Sequence, residues 1–225
     1  MKILLCISSL KDIESTLTHF NAQPEQKQTL KFIHFAKILH HEVDIVETGA
    51  GIFQTTYKMA KALSIQKYHL ALKVSLACTY NENIPVSSVL NIVNEKPGDC
   101  GMMVNGEWKD WYDLDLINRM DDPHQRGGFI NLNNAYMNVF APFKKVVGVT
   151  VNHYADRESF LMKKEKYKAD CETLDSLGFV YPCLFEKQNF FQLGVIERNL
   201  ATGEENLQLA QKTLNNTLMD LLAKL

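Results

Sequence analysis

The chain has 225 residues and a mass of 25.7 kDa, enough for one large domain that buries a substantial core. Its net charge of -2 and its pI near 6.4 argue against nucleic acid as the main partner, because phosphate backbones are bound by clustered lysine and arginine. No run of about 18 apolar residues is present, so neither a membrane helix nor a membrane partner is expected.

The first half of the chain alternates between strand and helix patterns. Short apolar or period-two runs predict four strands, over Lys2–Ser8, Glu42–Glu47, Leu70–Leu76 and Ser88–Asn94. Helical spacing is found over Ile52–Leu63 and over Phe32–Leu39, although the latter segment can be partly extended. Strand, turn, helix and strand in this order favour a sheet with parallel members.

The second half begins with an irregular segment, Pro97–Gly128, whose Gly, Asp and Asn content predicts a hairpin and loops. Beyond it, strands are predicted over Lys145–Val151 and Phe190–Ile196, and helices over Asp170–Phe185 and Gly203–Leu225. Pro182 must kink or end the first of these helices, because proline lacks the amide that a helix interior needs. No break in composition marks a linker, so we expect one domain over residues 1–225.

The cysteines and the apolar start of the chain bear on its compartment. Five cysteines without a CxxC pair indicate reduced thiols in a cytoplasmic protein. The apolar start reaches Lys11 and Asp12 too early for a secretory signal, and it is better interpreted as a buried strand. We therefore expect a cytoplasmic location.

The turn Thr48-Gly49-Ala50-Gly51 lies between a predicted strand and a predicted helix. Glycines at such a place let the backbone approach a ligand closely, and the amides of the helix N terminus point outward. The spacing differs from the dinucleotide pattern GxGxxG, and no Walker lysine follows. The turn predicts one backbone wall of a small-molecule pocket, with a purely structural tight turn as the alternative.

Polar side chains follow the apolar runs at several strand ends. Asp12 stands just beyond the first strand, where open α/β sheets collect ligands, and its alternative role is a helix cap. Glu172 and Asp175 would share one helix face, with a solvent-facing pair as the alternative. The ends Thr150–Tyr154 and Glu197–Asn199 are also polar, so all these groups can converge on one site.

The order of these segments resembles the purine nucleoside phosphorylase and nucleosidase superfamily, most closely futalosine hydrolase and methylthioadenosine/S-adenosylhomocysteine nucleosidase. The matching segments run nearly end to end: Met1–Leu4, Thr48–Gly51, Val74–Thr79, Gly148–Asn152, Glu172–Asp175 and Phe191–Asn199. The resemblance implies a three-layer α/β/α fold whose central, mixed and largely parallel sheet is twisted. It also implies a purine or nucleoside ligand, no cofactor, and a homo-oligomer, most often a dimer.

The resemblance further implies roles for individual residues. Asp12 falls at the position of the glutamate that activates the attacking water, and Asp175 at that of the glutamate that holds the ribose hydroxyls. The positions that it places against the substrate are Gly49, Ala50, Gly51, Ala77, Cys78, Thr79, Thr150, Asn152, His153, Leu174 and Asp175.

The last strand departs from the family pattern. Gly194 replaces an arginine that helps to hold the nucleophile, and Arg198 replaces the Asp or Asn beside the leaving base. Glu197 and Asn199 lie one residue away, and a shift of one residue reverses the facing of a strand. We therefore hypothesise that Arg198 is catalytic, acting as a permanent cation that stabilises charge developing on the purine.

Cleavage of an N-glycosidic bond builds positive charge on the ribose and negative charge on the purine. We expect water to be the nucleophile, with Asp12 as its base and Asp175 as the sugar anchor. Phosphorolysis is an alternative, although the loop Ser8–Lys11 offers little to hold a phosphate. The other alternative is a diverged protein that binds a nucleoside or a partner without turnover. His34, His40 and His41 lack metal-ligand spacing, so no metal site is expected.

Overall fold

The computed structural model describes residues 1–131, 135–154 and 157–225, the side chains of 157–161 excepted. The strands of this part are β1 Lys2–Ile7, β2 Glu25–Gln26, β3 Ile33–Ile38, β4 His41–Glu47, β5 Leu70–Thr79, β6 Val89–Pro97, β7 Gly101–Val104, β8 Glu107–Asp110, β9 Phe129–Ile130, β10 Lys144–Thr150, β11 Cys171–Thr173 and β12 Phe190–Asn199. The α-helices are α1 Glu14–His19, α2 Ile52–Ile65, α3 Met137–Phe140, α4 Arg157–Tyr167, α5 Ser176–Phe185 and α6 Leu207–Lys224, and a short 3-10 helix spans Leu10–Ile13.

One large sheet organises these elements. Its strands run in the order β11-β10-β6-β12-β5-β1-β4-β3-β2, with β9 added on β6, while β7 and β8 form a separate hairpin. The pairings of β1 with β4 and β5, of β12 with β5, and of β10 with β6 and β11 are parallel. The sheet is therefore mixed and mostly parallel, as predicted.

The two faces of β1 show why the chain forms three layers. Successive side chains of a strand point to opposite faces, so a strand that is apolar throughout must be covered on both sides. Ile3, Leu5 and Ile7 pack with the apolar face of α6, whereas Leu4 and Cys6 pack with α2 and α5. The predicted α/β/α arrangement is confirmed.

The sheet also closes on itself, which the sequence analysis did not predict. β11 pairs with β10 on one side and antiparallel with β5 on the other, so β5, β12, β6, β10 and β11 form a ring of five strands. Inside it lies a small apolar cluster that includes Leu90, Ile92, Val146 and Ile196.

Two predicted helices differ from the structure in part or in full. Phe32–Leu39 is largely strand β3, because residues Ile33–Ile38 pair antiparallel with β4 in a hairpin, and that pairing overrides the local helical spacing. Asp170–Phe185 begins with strand β11, and the helix starts only at Ser176. Pro182 lies inside that helix, which ends at Phe185. Among the described residues, no helix is both long and apolar enough to cross a lipid bilayer.

Candidate functional site

The glycine turn after β4 adopts a backbone that favours glycine. Gly49 and Gly51 have φ angles of +76° and +87°, a region in which side chains are strained. The amides of Thr48 and Gly49 donate to the carbonyl oxygens of Ile7 and Ser8, each at 2.9 Å, so the turn is fastened to the end of β1. Gly51 then serves as the N-cap of α2, as the predicted strand–turn–helix requires.

A cavity of about 290 Å³ lies against this turn, at the carboxyl ends of the parallel strands. Its volume is close to the lower end of the range for small-molecule pockets. Its walls are formed by Ser8, Asp12, Ala50, Gly51, Val74, Ser75, Leu76, Tyr154, Leu174, Asp175, Glu197, Gln211 and Leu214. The structure thus brings together Asp12, the glycine turn and Leu174-Asp175, which the sequence analysis had joined into one site.

Asp12 is held in place from two sides. Its Oδ2 accepts a hydrogen bond from the Ser9 amide at 2.9 Å, which completes a capping box at the start of the 3-10 helix. The Nδ2 of Asn215, on α6, donates to the Asp12 carbonyl oxygen at 2.9 Å, and its Oδ1 accepts from Thr16. Asp12 is therefore the N3 residue of a capping box whose N-cap is Ser9, and not the N-cap that the alternative interpretation held. It also lines the cavity.

Asp175 reaches the cavity from the start of α5, and its carboxylate pairs with a buried lysine. The Nζ of Lys73, a residue of β5 with no exposed surface, lies 2.8 Å from the Asp175 Oδ2. Burial lowers the pKa of Lys73, but Asp175, Cys6 and Glu95 together outweigh this, Asp175 most of all, so its pKa is raised overall. The pair is a buried salt bridge between charged groups.

Glu197 supplies a third carboxylate to the cavity through an irregularity in β12. The pairing of β12 with β5 shifts between Ile196 and Arg198, so Glu197 occupies a β-bulge and faces the cavity. Burial raises the pKa of the Glu197 carboxyl, and a 3.1 Å hydrogen bond from the Tyr154 hydroxyl opposes this rise. Three carboxylates, from three parts of the chain, thus surround one small cavity.

The side chain of Arg198 does not belong to the described lining of this cavity. Its guanidinium pairs with Glu205 at 2.8 Å, and 42% of the side chain is exposed. The prediction that Arg198 faces the purine assumed regular alternation along β12, and the bulge at Glu197 breaks that alternation. The structure therefore places Glu197 where Arg198 was expected.

Comparison with known structures identifies the fold. The chain matches the Streptococcus pneumoniae 5'-methylthioadenosine/S-adenosylhomocysteine nucleosidase with a TM-score of 0.78 and 14% identity over 99% of this chain and 98% of that one. This chain has the nucleosidase fold. The nucleosidase of Colwellia psychrerythraea gives a TM-score of 0.80 at 12% identity, covering 100% and 96% of the two chains. A futalosine hydrolase mutant of Helicobacter pylori gives 0.77 at 13%, covering 100% and 98%.

Two of these matched structures carry a ligand. The Streptococcus pneumoniae protein holds a transition-state inhibitor, and the Colwellia psychrerythraea protein holds adenine. No protein-family model matches this sequence, and no curated protein matches it either.

Several predicted site residues lie elsewhere in the nucleosidase fold. Gly49, Ala77, Cys78, Thr79, Thr150, Asn152 and His153 are absent from the described cavity lining. Asn152 and His153 are exposed, whereas Thr79 is buried and donates from its hydroxyl to the Asp170 carbonyl at 2.8 Å. Substrate contact by these seven residues stays a prediction of the resemblance.

The predicted pairing of Glu172 with Asp175 on one helix face was wrong. Glu172 lies in β11, is fully buried, and accepts a hydrogen bond from the Tyr80 hydroxyl. Asp175 is the N-cap residue of α5 instead. Across the part of the chain that the structure describes, no group of three His, Cys, Asp or Glu side chains could hold a metal ion.

Sequence reasoning also missed two buried ionisable groups, Lys73 and Glu95. A single lysine inside the apolar run of β5 was the available signal for Lys73. Glu95 accepts hydrogen bonds from Thr150 Oγ1 at 2.7 Å and from Gln192 Nε2 at 2.9 Å. Thr150 in turn accepts from the Leu177 amide at 2.9 Å, so this network fastens the start of α5, and with it Asp175, to the sheet.

Proposed function

We propose that this chain hydrolyses the N-glycosidic bond of a purine nucleoside. The observation that carries the proposal is the convergence of Asp12, Asp175 and Glu197 on one cavity of about 290 Å³. Such a reaction needs a base for water, a carboxylate near the sugar and a proton donor near the purine, and three carboxylates can fill these three roles. The fold shared with nucleosidases and futalosine hydrolase supports the same reaction class.

In the proposed reaction, Asp12 takes a proton from a water molecule whose oxygen attacks the anomeric carbon. The bond between that carbon and the purine nitrogen breaks, and its electron pair leaves with the purine. Asp175 faces the positive charge that develops on the sugar. The leaving purine then gains a proton, and the products are the free sugar and the free purine.

Glu197 is the residue that we assign to give that proton. Burial raises the pKa of the Glu197 carboxyl, so it is protonated more readily than an ordinary glutamate. A neutral carboxyl beside the leaving base is a better donor than the permanently charged Arg198, whose guanidinium pairs with Glu205. The proton donor thus moves from Arg198, as predicted from sequence, to Glu197.

The charge of the cavity favours water over phosphate as the nucleophile. Asp12 is a carboxylate that repels an incoming anion when ionised, whereas Lys73 offsets the charge of Asp175 and Glu197 is protonated in its assigned role. Water carries no such penalty, and Asp12 at the cavity wall can accept its proton. Hydrolysis is therefore preferred to phosphorolysis.

A purine-release assay tests the proposal. Wild type, Asp12→Asn and Glu197→Gln are incubated with 5'-methylthioadenosine, S-adenosylhomocysteine, futalosine and inosine, with the exposed Glu82→Gln as control. We expect wild type and Glu82→Gln to release purine from at least one substrate, and each cavity variant to be about 100-fold slower or worse. Binding without release in wild type would instead support a nucleoside-binding protein on this fold.

A further inference from the structure

The buried Lys73–Asp175 pair constrains how the cavity can hold a sugar. Lys73 lies in β5, opposite Cys6 of β1 in the parallel register, and it has no exposed surface. Its ammonium group lies 2.8 Å from Asp175 Oδ2, and Asp175 itself is only 6% exposed. A charge that is fully buried has to be paired, so Lys73 keeps its hold on this one oxygen.

The other carboxylate oxygen of Asp175 is the one left for a ligand. Within the described part of the chain, the Asp175 carboxylate has one hydrogen-bond donor, Lys73, and that donor reaches Oδ2. Asp175 also lines the cavity, so Oδ1 is available to an incoming hydroxyl. A carboxylate with both oxygens free can accept from two vicinal hydroxyls at once, one at each oxygen. Each oxygen has two lone pairs, but the Lys73 ammonium already on Oδ2 weakens a second hydrogen bond at that oxygen.

We propose that Lys73 is a positioning residue that fixes Asp175 by one oxygen, so that the cavity recognises only one of the two vicinal ribose hydroxyls and also takes monodeoxyribonucleosides. This inference rests on the proposed function, since it concerns the sugar of the same substrate. The hydroxyl that meets Oδ1 contributes a charge-assisted hydrogen bond. The other hydroxyl makes no hydrogen bond to Asp175, and removal of that hydroxyl leaves no oxygen of the Asp175 carboxylate unpaired.

Binding measurements on wild type separate these two hydroxyls. A hydrogen bond to a charged group changes affinity by about 10- to 100-fold. Calorimetry with 7-deazaadenosine and its 2'-deoxy and 3'-deoxy forms measures affinity under conditions that resist cleavage, because the purine nitrogen that accepts a proton is replaced by carbon. We expect one deoxy form to bind within about 3-fold of the parent and the other at least 10-fold more weakly.

Any other pattern of affinities contradicts either the inference about Asp175 alone or the proposed function as well. If both deoxy forms lose at least 10-fold, Asp175 uses both oxygens and the inference fails, while the proposed function stands. If neither form loses affinity, the anchor makes no sugar contact, and the inference fails too. If no nucleoside binds at all, the proposed function fails together with the inference.

A double-mutant cycle tests whether Lys73 acts through Asp175. Lys73→Met should weaken 7-deazaadenosine binding about 10-fold, but in the Asp175→Asn background it should change affinity by less than about 3-fold. A purely structural role of Lys73 would produce the same loss in both backgrounds and would refute the positioning role. Lys163→Met is the matched control, since Lys163 is 3% exposed and lies 3.0 Å from Asp99, and it should bind as wild type does. If circular dichroism shows that Lys73→Met is unfolded, the wild-type comparison of the deoxy forms decides the matter.

Discussion

The buried carboxyl of Glu95 predicts that the protein loses stability as the pH rises towards neutrality. Glu95 is 1% exposed. Burial raises the pKa of Glu95 to about 7, against hydrogen bonds from Thr150 and Gln192 that lower it. In the unfolded chain the same carboxyl ionises near its ordinary pKa of 4.5, so between these values unfolding releases a proton. A group that binds its proton more tightly in the folded state makes stability fall with rising pH.

The size of the effect follows from the pKa shift. One pKa unit corresponds to about 1.36 kcal/mol, so ionising Glu95 in the folded state costs roughly 3 kcal/mol of the free energy of unfolding. The cost is absent well below pH 4.5 and complete above pH 7, and roughly 2–3 kcal/mol of it accrues between pH 5 and pH 8. Glu95→Gln removes the titration. Rotation of the Gln192 amide can turn its buried Oε1, which accepts no hydrogen bond within the described residues, towards the new amide.

Urea unfolding at pH 5 and pH 8 measures this effect. We expect Glu95→Gln to gain roughly 2–3 kcal/mol relative to wild type on going from pH 5 to pH 8. The exposed Glu82→Gln should follow wild type at both values, and unchanged m values would confirm that the same transition is compared. A wild-type-to-variant difference that is equal at the two pH values would refute the reasoning, because Glu95 would then ionise alike in both states.

Three further predictions concern the cavity. Arg198→Ala should release purine at a rate within about 3-fold of wild type and lose less than about 1 kcal/mol of the free energy of unfolding, because the Arg198–Glu205 ion pair is solvent-exposed. A rate loss above 10-fold would restore the catalytic role of Arg198. Asn215→Ala should lower the free energy of unfolding by about 2 kcal/mol in urea titrations and slow purine release, because Asn215 fixes the backbone of Asp12. An unchanged unfolding free energy and an unchanged release rate would contradict this. Tyr154→Phe should move the alkaline limb of the pH–rate profile to higher pH, because the hydrogen bond that it removes lowers the pKa of Glu197, the proposed proton donor. An alkaline limb at the same pH would exclude Glu197 as the donor.

The layers and the glycine turn were predictable because their signals are local. A strand covered on both faces shows as a continuous apolar run, and β1 and β10 were predicted in this way. The turn before α2 needs two glycines with positive φ angles, so its composition reveals its geometry.

The charged part of the site was less predictable because it depends on distant partners. Lys73 and Asp175 are 102 residues apart, and nothing near either residue announces the other. The facing of Glu197 depends on a bulge against β5, which is a property of strand pairing and not of the β12 sequence alone. Strand β11 has three residues, too few for a period-two pattern to distinguish it from the helix that follows.

The closed ring of five strands has a consequence for how selectivity in this cavity can change. A ring without a free edge cannot slip in register, so the spacing of groups at its strand ends is fixed by hydrogen-bond pairing and not by loop conformation. Glu197 lies in β12, and Asp175 follows β11 by two residues, so both are carried by the ring. Altered substrate preference is therefore accessible through exchange of single side chains at these ends. Lengthening the β7–β8 hairpin, which forms a separate sheet, should leave the two carboxylates where they are.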